Sequence, residues 1–353
     1  MYVVLDGYDL GIGTLLLFQS RRSDRKTMVE IVATAWDGNE SWLILLGVAL
    51  WGGLPAAYGA MLPAIYLPLV VMLLALIARG VAIEMVSSSS GTPRGWMTAF
   101  GLGSLIAAAA QGFAFGGLVS GVRVSDHTFD GGAFDFFTPF SVLTAIATVL
   151  MYSVAGAAYL QLKCEQPFSG HFARVGYVLL GITIPVIVVT ALWSAATAAP
   201  PQFSPTGRAI GFWLLVAVAA VATATAFVGF RRGPDTLAFG SVVVAEIAGL
   251  VAFLVGAAPL VVPPDITIAD AAAPSGALTF LLIGVGLNIP LVMFYNWYAH
   301  HVFRGKYRVP AAERPTGRSQ SAAAMRPDGD GRGTLSTGVP PADGRTLAEG
   351  ESR

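Results

Sequence analysis

The sequence predicts an all-α integral membrane protein of about nine transmembrane helices, with its N-terminus on the outer side and its C-terminus in the cytoplasm. Three observations support this fold class. Hydrophobic residues fill 55% of the 353 positions and charged residues only 12%, whereas soluble domains contain about 25% charged residues. Apolar stretches of helix length recur along the chain, and basic residues cluster in alternate loops.

Nine apolar stretches supply the predicted helices. The hydrocarbon core of a bilayer is about 30 Å thick, so a spanning helix needs about 20 mostly apolar residues. The first stretch is short, and Pro63 is predicted to separate the second from the third in a tight hairpin. The predicted spans are residues 1–18, 41–61, 64–86, 97–119, 140–162, 175–196, 209–230, 237–258 and 278–300.

The placement of basic residues predicts the orientation. Cytoplasmic loops of membrane proteins carry an excess of Lys and Arg. With the N-terminus outside, the outer loops hold only Arg123 and Arg208. The inner loops and the end of the last helix hold Arg21, Arg22, Arg25, Lys26, Arg94, Lys163, Arg174, Arg231, Arg232, Arg304, Lys306 and Arg308.

Two regions of different composition are predicted. Residues 1–309 form the transmembrane helical domain, and residues 310–353 form a cytoplasmic tail rich in Pro, Gly, Ser, Ala and Arg. Such a composition buries too little apolar surface to order itself, so the tail is predicted to be disordered. No phosphate-binding loop, zinc-ligand spacing or nucleophile elbow occurs in the sequence, so soluble-enzyme chemistry is not expected.

Asp6 and Asp9 are the first candidate functional residues. A carboxylate at the bilayer centre costs about 2.5 to 3.5 kcal/mol on insertion scales, so both acids should face the protein interior. Their spacing of three puts them on one helix face, and the adjacent Gly7 and Gly11 permit close approach of another helix. Two interpretations are open, a proton or ion path and a hydrogen-bonded helix contact.

Four further charged residues lie toward the predicted inner side, and a fifth lies in the middle of a predicted span. Asp37 and Glu40 fit either a helix cap or a point of proton uptake. Arg79 either extends to the interface or pairs with a buried acid, and we favour pairing. Glu84 is a second candidate acid for a proton path. Glu246 is mid-span, where it can face a neighbouring helix, a partner subunit or a cavity.

The histidines argue against haem binding by this chain. A haem iron in a bilayer needs axial ligands at depth, and all four histidines fall in predicted loops or at the end of the last helix. They are His127, His171, His300 and His301. The sequence therefore predicts that this chain ligates neither a haem nor another metal.

Six strings, in order along the chain, resemble subunit II of the cytochrome bd-type ubiquinol oxidase family, including its cyanide-insensitive branch. They are YVVLDGYDLG from Tyr2, WDGNESW from Trp36, LPAIYLP from Leu62, RGVAIE from Arg79, YLQLK from Tyr159 and LTFLLIGVG from Leu278. The resemblance runs from Tyr2 to about Lys306. One departure is that family members usually have a longer apolar stretch before Leu5.

The resemblance implies a function and partners. It implies a heterodimer in the bacterial inner membrane, in which a haem-bearing subunit I holds haems b and d, or b alone. This chain would support subunit I, bind a structural quinone in some members, contact lipid and a small accessory subunit, and contribute a cytoplasmic proton path for oxygen reduction. Asp37 matches the family's proton-uptake aspartate, and Asp6 and Asp9 match its paired aspartates. Two rival interpretations are a secondary transporter, which should show inverted repeats, and a purely structural membrane subunit.

Overall fold

The computed structural model describes residues 1–91, 93–125, 128–197, 206–302 and 305–307. The predicted disordered tail, residues 310–353, lies outside them, as do Asp126, His127, Arg304 and Arg308. The described residues form eleven α-helices and two short β-hairpins.

The helices and strands follow one another in a simple order. They are α1 (Tyr2–Leu16), α2 (Arg22–Ala33), α3 (Trp36–Gly53), α4 (Pro55–Ser87), α5 (Arg94–Val119), β1 (Val124–Ser125), β2 (Thr128–Phe129), α6 (Pro139–Lys163), α7 (Phe168–Thr197), α8 (Thr206–Arg232), α9 (Asp235–Ala257), β3 (Leu260–Val262), β4 (Ile266–Thr267), α10 (Ile268–Ala271) and α11 (Ser275–Val302).

Seven helices of the described chain are long and apolar enough to cross a membrane, namely α4 to α9 and α11. The two other predicted spans correspond to α1, with 15 residues, and α3, with 18 residues. Helix α1 is about 22 Å long, less than the hydrocarbon thickness. The first turns of α3 contain Asp37, Asn39 and Glu40, which lower its hydropathy. The all-α membrane class is confirmed, and the count of nine spans stays a prediction.

The predicted hairpin at Pro63 is wrong. Helix α3 ends at Gly53, and α4 begins at Pro55 and continues past Pro63, with a kink at Ile65 where φ is −122° and ψ is 18°. Proline suits the first turn of a helix because its missing N–H would have no intrahelical partner there. An interior proline removes one hydrogen bond and kinks the helix without ending it when neighbouring elements hold the chain.

Helix α1 lies at the centre of the packing, against α3, α5 and α6. Almost every residue from Tyr2 to Leu16 is buried. Helix α2 was not predicted as a separate element. It is amphipathic, and it buries Met28, Val29, Ile31 and Val32 in the same core. The two antiparallel hairpins, β1–β2 and β3–β4, occupy two of the predicted outer loops.

Candidate functional site

Asp6 and Asp9 lie on α1 and are buried, with exposed fractions of 0% and 1%. Residues three apart are neighbours on a helix surface, so both carboxyl groups reach the same region. Helix α6 packs directly on α1. The two backbones are so close that a Cβ atom at Gly11 would lie 1.7 Å from the Tyr152 carbonyl oxygen. Gly156 of α6 allows the same close approach from the other helix. The tight contact keeps lipid away from the two acids.

Arg79 of α4 pairs with these acids. Its Nη2 atom donates to Asp6 Oδ1 at 2.7 Å and lies 3.9 Å from Asp9 Oδ2, and its side chain is fully buried. Arg79 is therefore paired and does not extend to the interface. Gly103 of α5 makes room for it, since a Cβ atom there would lie 3.2 Å from Arg79 Cβ. Burial of an ion is tolerated only with close partners, so the three side chains act as a unit.

Asn39 of α3 connects this ion pair to the predicted inner side. Its Nδ2 atom donates to Asp9 Oδ2 at 2.8 Å, to the Tyr8 hydroxyl at 2.8 Å and to the Leu5 carbonyl at 3.2 Å. An amide group has two N–H donors, so two of these three contacts share a hydrogen. Asn39 is fully buried and orients Asp9 relative to Arg79.

Tyr8 continues the network to His300, near the end of α11. The Tyr8 hydroxyl lies 2.9 Å from His300 Nε2, and His300 Nδ1 lies 2.8 Å from the Asn296 carbonyl oxygen. A carbonyl oxygen only accepts, so Nδ1 carries a hydrogen, and Nε2 of the neutral ring accepts from Tyr8. A hydrogen-bonded series therefore runs from His300 through Tyr8 and Asn39 to Asp9.

The cluster retains hydrogen-bonding capacity. Among the described residues, Asp6 Oδ2, Asp9 Oδ1, and Arg79 Nε and Nη1 have no hydrogen-bond partner. Two carboxyl groups face one guanidinium, so the cluster is neutral when it holds one proton. Release of that proton leaves two carboxylates beside one guanidinium, so the net charge of the cluster changes by one and the nearby cation stabilises the deprotonated form.

Asp37 and Glu84 lie apart from the buried cluster. Both are exposed, and together with Trp36 and Tyr295 they line an open cavity of about 410 Å³. Asp37 is on the first turn of α3, two residues before Asn39, so the rise between them is about 3 Å along the helix. The cavity therefore adjoins the residue that contacts Asp9, although no hydrogen bond within the described chain joins Asp37 to Asp9.

The prediction that Glu40 caps a helix is wrong. Helix α3 has Ala35 at its N-cap and no side-chain cap hydrogen bond. Glu40 is the fifth residue of the helix, beyond the N-cap and N3 positions whose side chains satisfy free N–H groups. Its side chain is half-buried.

Sequence reasoning missed three residues of the network, Tyr8, Asn39 and His300. Tyr8 and Asn39 lie inside two of the strings quoted above, so their position beside the acids was the available signal. His300 was predicted at the end of the last helix, but its contact with α1, 292 residues away in the sequence, has no local signal. His171, which was predicted to lie in a loop, lies in the first turn of α7.

The histidines of the described chain lie near helix ends. Both ring nitrogens of His300 are hydrogen-bonded, and His171 is exposed at the beginning of α7. Within the part of the chain that the structure describes, no three side chains of His, Cys, Asp or Glu are grouped as metal ligands are. The chemistry of the site is that of buried acids and a cation.

The chain is thus a multi-spanning helical membrane protein whose centre holds a hydrogen-bonded group of two carboxyl groups and one guanidinium. Over residues 1–303 the chain matches the family described as cytochrome bd terminal oxidase subunit II. It belongs to that family, and the resemblance drawn from its motifs is confirmed.

Individual relatives agree with this assignment. The chain is 29% identical over 200 residues to the cytochrome bd-I ubiquinol oxidase subunit 2 of Escherichia coli K12, covering 54% of this chain and 53% of that protein. It thus spans about half the length of that relative. The cytochrome bd ubiquinol oxidase subunit 2 of Bacillus subtilis is 23% identical over 313 residues, covering 86% of this chain and 91% of that protein.

A solved structure shares the fold. The bd oxidase from Geobacillus thermodenitrificans aligns with a TM-score of 0.70 at 14% identity, covering 86% of this chain and 94% of the matched chain. At that identity the likeness concerns the fold alone.

Proposed function

We propose that this chain is subunit II of a cytochrome bd-type quinol oxidase in the bacterial cytoplasmic membrane. It supports a haem-bearing subunit I, which oxidises quinol and reduces oxygen to water, and it contributes a proton path from the cytoplasm. Its relatives bear the names of ubiquinol oxidase subunits, which supports this role. A structural quinone, lipid and a small accessory subunit are further partners in this proposal.

The observation that carries the proton role is the unequal number of charges in the buried cluster. Asp6 and Asp9 face the single cation Arg79, and Asp9 is the more distant acid, at 3.9 Å against 2.7 Å. Asp9 therefore holds the transferable proton in this proposal. A purely structural ion pair would need only one acid for one arginine.

The proposed path begins at the cavity lined by Asp37 and Glu84. Protons collected there reach Asp9 through water near Asn39, and then Asp6. The hydrogen-bonded series from His300 through Tyr8 holds Asp9 and Asn39 in place. Ionisable groups at successive depths are the usual components of proton paths in membranes.

Replacement of Asp37 tests this path. We expect Asp37→Asn to leave assembly and haem content intact while slowing quinol oxidation and proton uptake about tenfold, equal to about 1.4 kcal/mol on the barrier. Asn keeps the size of the side chain but cannot carry a proton. The measurement is oxygen consumption by the purified complex, together with proton uptake in vesicles.

A matched control is Asp265→Asn, which changes an exposed acid beside β4 in a predicted outer loop. It should retain normal turnover. Normal turnover of a fully assembled Asp37→Asn complex would instead support the purely structural subunit. Purification without a haem-bearing partner would support the transporter, an interpretation that membership of the oxidase family disfavours.

A further inference from the structure

An open groove follows the surface where α8 meets α9, away from the buried cluster. It encloses about 600 Å³ and is lined mainly by small and aliphatic side chains. Ala222 and Ser241 are buried at its floor, whereas Val218, Val221 and Val244 are exposed at its sides. The chain therefore presents an apolar recess to the membrane at this place.

Gly240 of α9 keeps the groove open, because a Cβ atom at this position would meet nothing within 4 Å. Closer to the α8–α9 hairpin the two helices touch, since a Cβ atom at Gly229 would lie 2.6 Å from the Ala238 backbone nitrogen. The groove is thus a cleft between helices that are already in contact. Such a cleft suits a flexible hydrocarbon chain better than a further helix of about 10–12 Å in diameter.

The groove has about the length of a lipid chain within one leaflet. On α8 it extends from Ala217 to Thr225, a rise of about 12 Å, and one leaflet contributes about 15 Å of the hydrocarbon core. On α9 it begins at Thr236, the second residue of that helix. Because the hairpin joins two helices long enough to span a membrane, this end of the groove lies near the membrane surface.

Two arginines lie at the same end. Arg231 and Arg232 are the last residues of α8, both are exposed, and neither forms a salt bridge with another described residue. The adjacent acid, Asp235, is paired with Lys306 at 2.6 Å. Thr225 and Arg232 are seven residues apart, so they lie on one face of α8. The surface end of the groove therefore carries positive charge that the described chain does not neutralise.

We propose that this groove binds one acyl chain of an anionic phospholipid, whose phosphate group contacts Arg231 and Arg232. Basic residues at a membrane surface attract anionic headgroups, and an arginine side chain reaches the headgroup level while its stem stays on apolar surface. The proposal requires only that the chain spans a membrane. It therefore stands apart from the oxidase activity proposed above.

Native mass spectrometry of the purified, delipidated complex tests this site. Dioleoyl phosphatidylglycerol and dioleoyl phosphatidylcholine are added separately as probes, and the affinity of the first lipid bound is measured. We expect the anionic probe to bind more tightly than the zwitterionic one. The double variant Arg231→Gln, Arg232→Gln should weaken its binding about thirtyfold, since each basic residue contributes about fivefold, equal to about 1 kcal/mol. Binding of phosphatidylcholine should be unchanged.

Gly240→Leu tests the apolar part of the site, because its side chain would fill the groove and both probes should lose their tightest site. Val221→Trp, at the exposed side of the groove, replaces it if Gly240→Leu does not assemble. One matched control is the double variant Arg21→Gln, Arg22→Gln, which changes two exposed arginines on the same predicted side. The other is Gly249→Leu, whose Cβ atom also meets nothing within 4 Å but which lies outside the groove. Both controls should bind phosphatidylglycerol as the unaltered complex does.

Three results would overturn the proposal. Equal affinity for the two probes means that the arginines select no headgroup and that the groove holds only bulk lipid. Unchanged phosphatidylglycerol binding in either groove variant places the bound lipid elsewhere. A small protein that copurifies with the unaltered complex and is lost in Gly240→Leu means that a partner helix occupies the groove. Oxygen consumption by the complex bears on none of these results.

Discussion

At the scale of single residues, the buried ion pair between Arg79 and Asp6 has a large expected effect on stability. Both side chains are fully buried at a separation of 2.7 Å. Removing one partner of a buried pair leaves an uncompensated charge and costs about 3–5 kcal/mol. Replacing both partners with neutral groups removes the charge itself, and its cost is then smaller.

We therefore expect Arg79→Met either to abolish assembly or to reduce the free energy of unfolding by about 3–5 kcal/mol. In the second case the thermal midpoint of the complex falls sharply. The double variant Asp6→Asn, Arg79→Met should recover much of that loss because Asp6 is no longer charged. Two measurements check this: thermal unfolding of the detergent-solubilised complex, and the amount of subunit I that the complex retains.

A matched control for this prediction is Arg123→Met. Arg123 pairs with Asp135 in an outer loop, where their side chains are 71% and 39% exposed. Arg123 lowers the pKa of Asp135 by hydrogen bonding, but exposed pairs contribute little to stability. Equal losses from Arg79→Met and Arg123→Met would contradict the importance assigned to the buried pair.

At the scale of helices, the contact between α1 and α6 places the acids. Glycines on both helices bring the two backbones together, so that Asp6 and Asp9 are enclosed by protein. Small residues at helix interfaces allow such an approach in membranes. Helix α1 is short, and its position depends on this packing more than on its length.

Gly11→Ala should disrupt the helix contact. The added methyl group would lie 1.7 Å from a backbone oxygen of α6, and overpacking costs about 1–3 kcal/mol or more. We expect less assembled complex and a lower thermal midpoint. Gly240→Ala on α9 is the control, since its Cβ atom meets nothing within 4 Å. It should be neutral or slightly stabilising, by about 0.5–1 kcal/mol, because Ala favours helix. Equal behaviour of the two variants would exclude this account of the contact.

At the scale of the whole transmembrane unit, three helix ends meet on one side. Lys306 Nζ donates to Asp235 Oδ2 at 2.6 Å, which joins the segment after α11 to the beginning of α9. The Tyr307 N–H donates to the Lys163 carbonyl at 2.7 Å, and the Glu165 N–H donates to the Tyr307 carbonyl at 3.1 Å. The end of α6 is thereby held on the same side, which the basic residues predict to be cytoplasmic.

Labelling with a membrane-impermeant maleimide tests this orientation. In right-side-out vesicles, Asp265→Cys should react and Ser90→Cys should not, because the first is predicted outside and the second inside. The native thiol should stay silent, since burial raises the pKa of Cys164 to about 12 and the thiolate is the reactive form. The unaltered chain is the control. The opposite labelling pattern would reverse the predicted topology.

Sequence alone was enough to predict the membrane class, most of the helices and the family. Helix length, apolar composition and the order of short motifs are local properties of the chain. Asp6, Asp9 and Arg79 were also identifiable, because a charge inside an apolar stretch needs a compensating partner. The structure corrects the prediction at Pro63 and at Glu40, where helix ends depend on how neighbouring elements pack.

Which groups meet could be seen only in the folded chain. It brings Asn39 and Arg79 to the acids of α1, joins Tyr8 to His300, and buries Glu246 in the middle of α9. These contacts link residues far apart in the sequence, so neither periodicity nor composition reports them. They arise because the helices pack side by side at a spacing set by glycine, and the cost of burying charge then selects the pairings that remain.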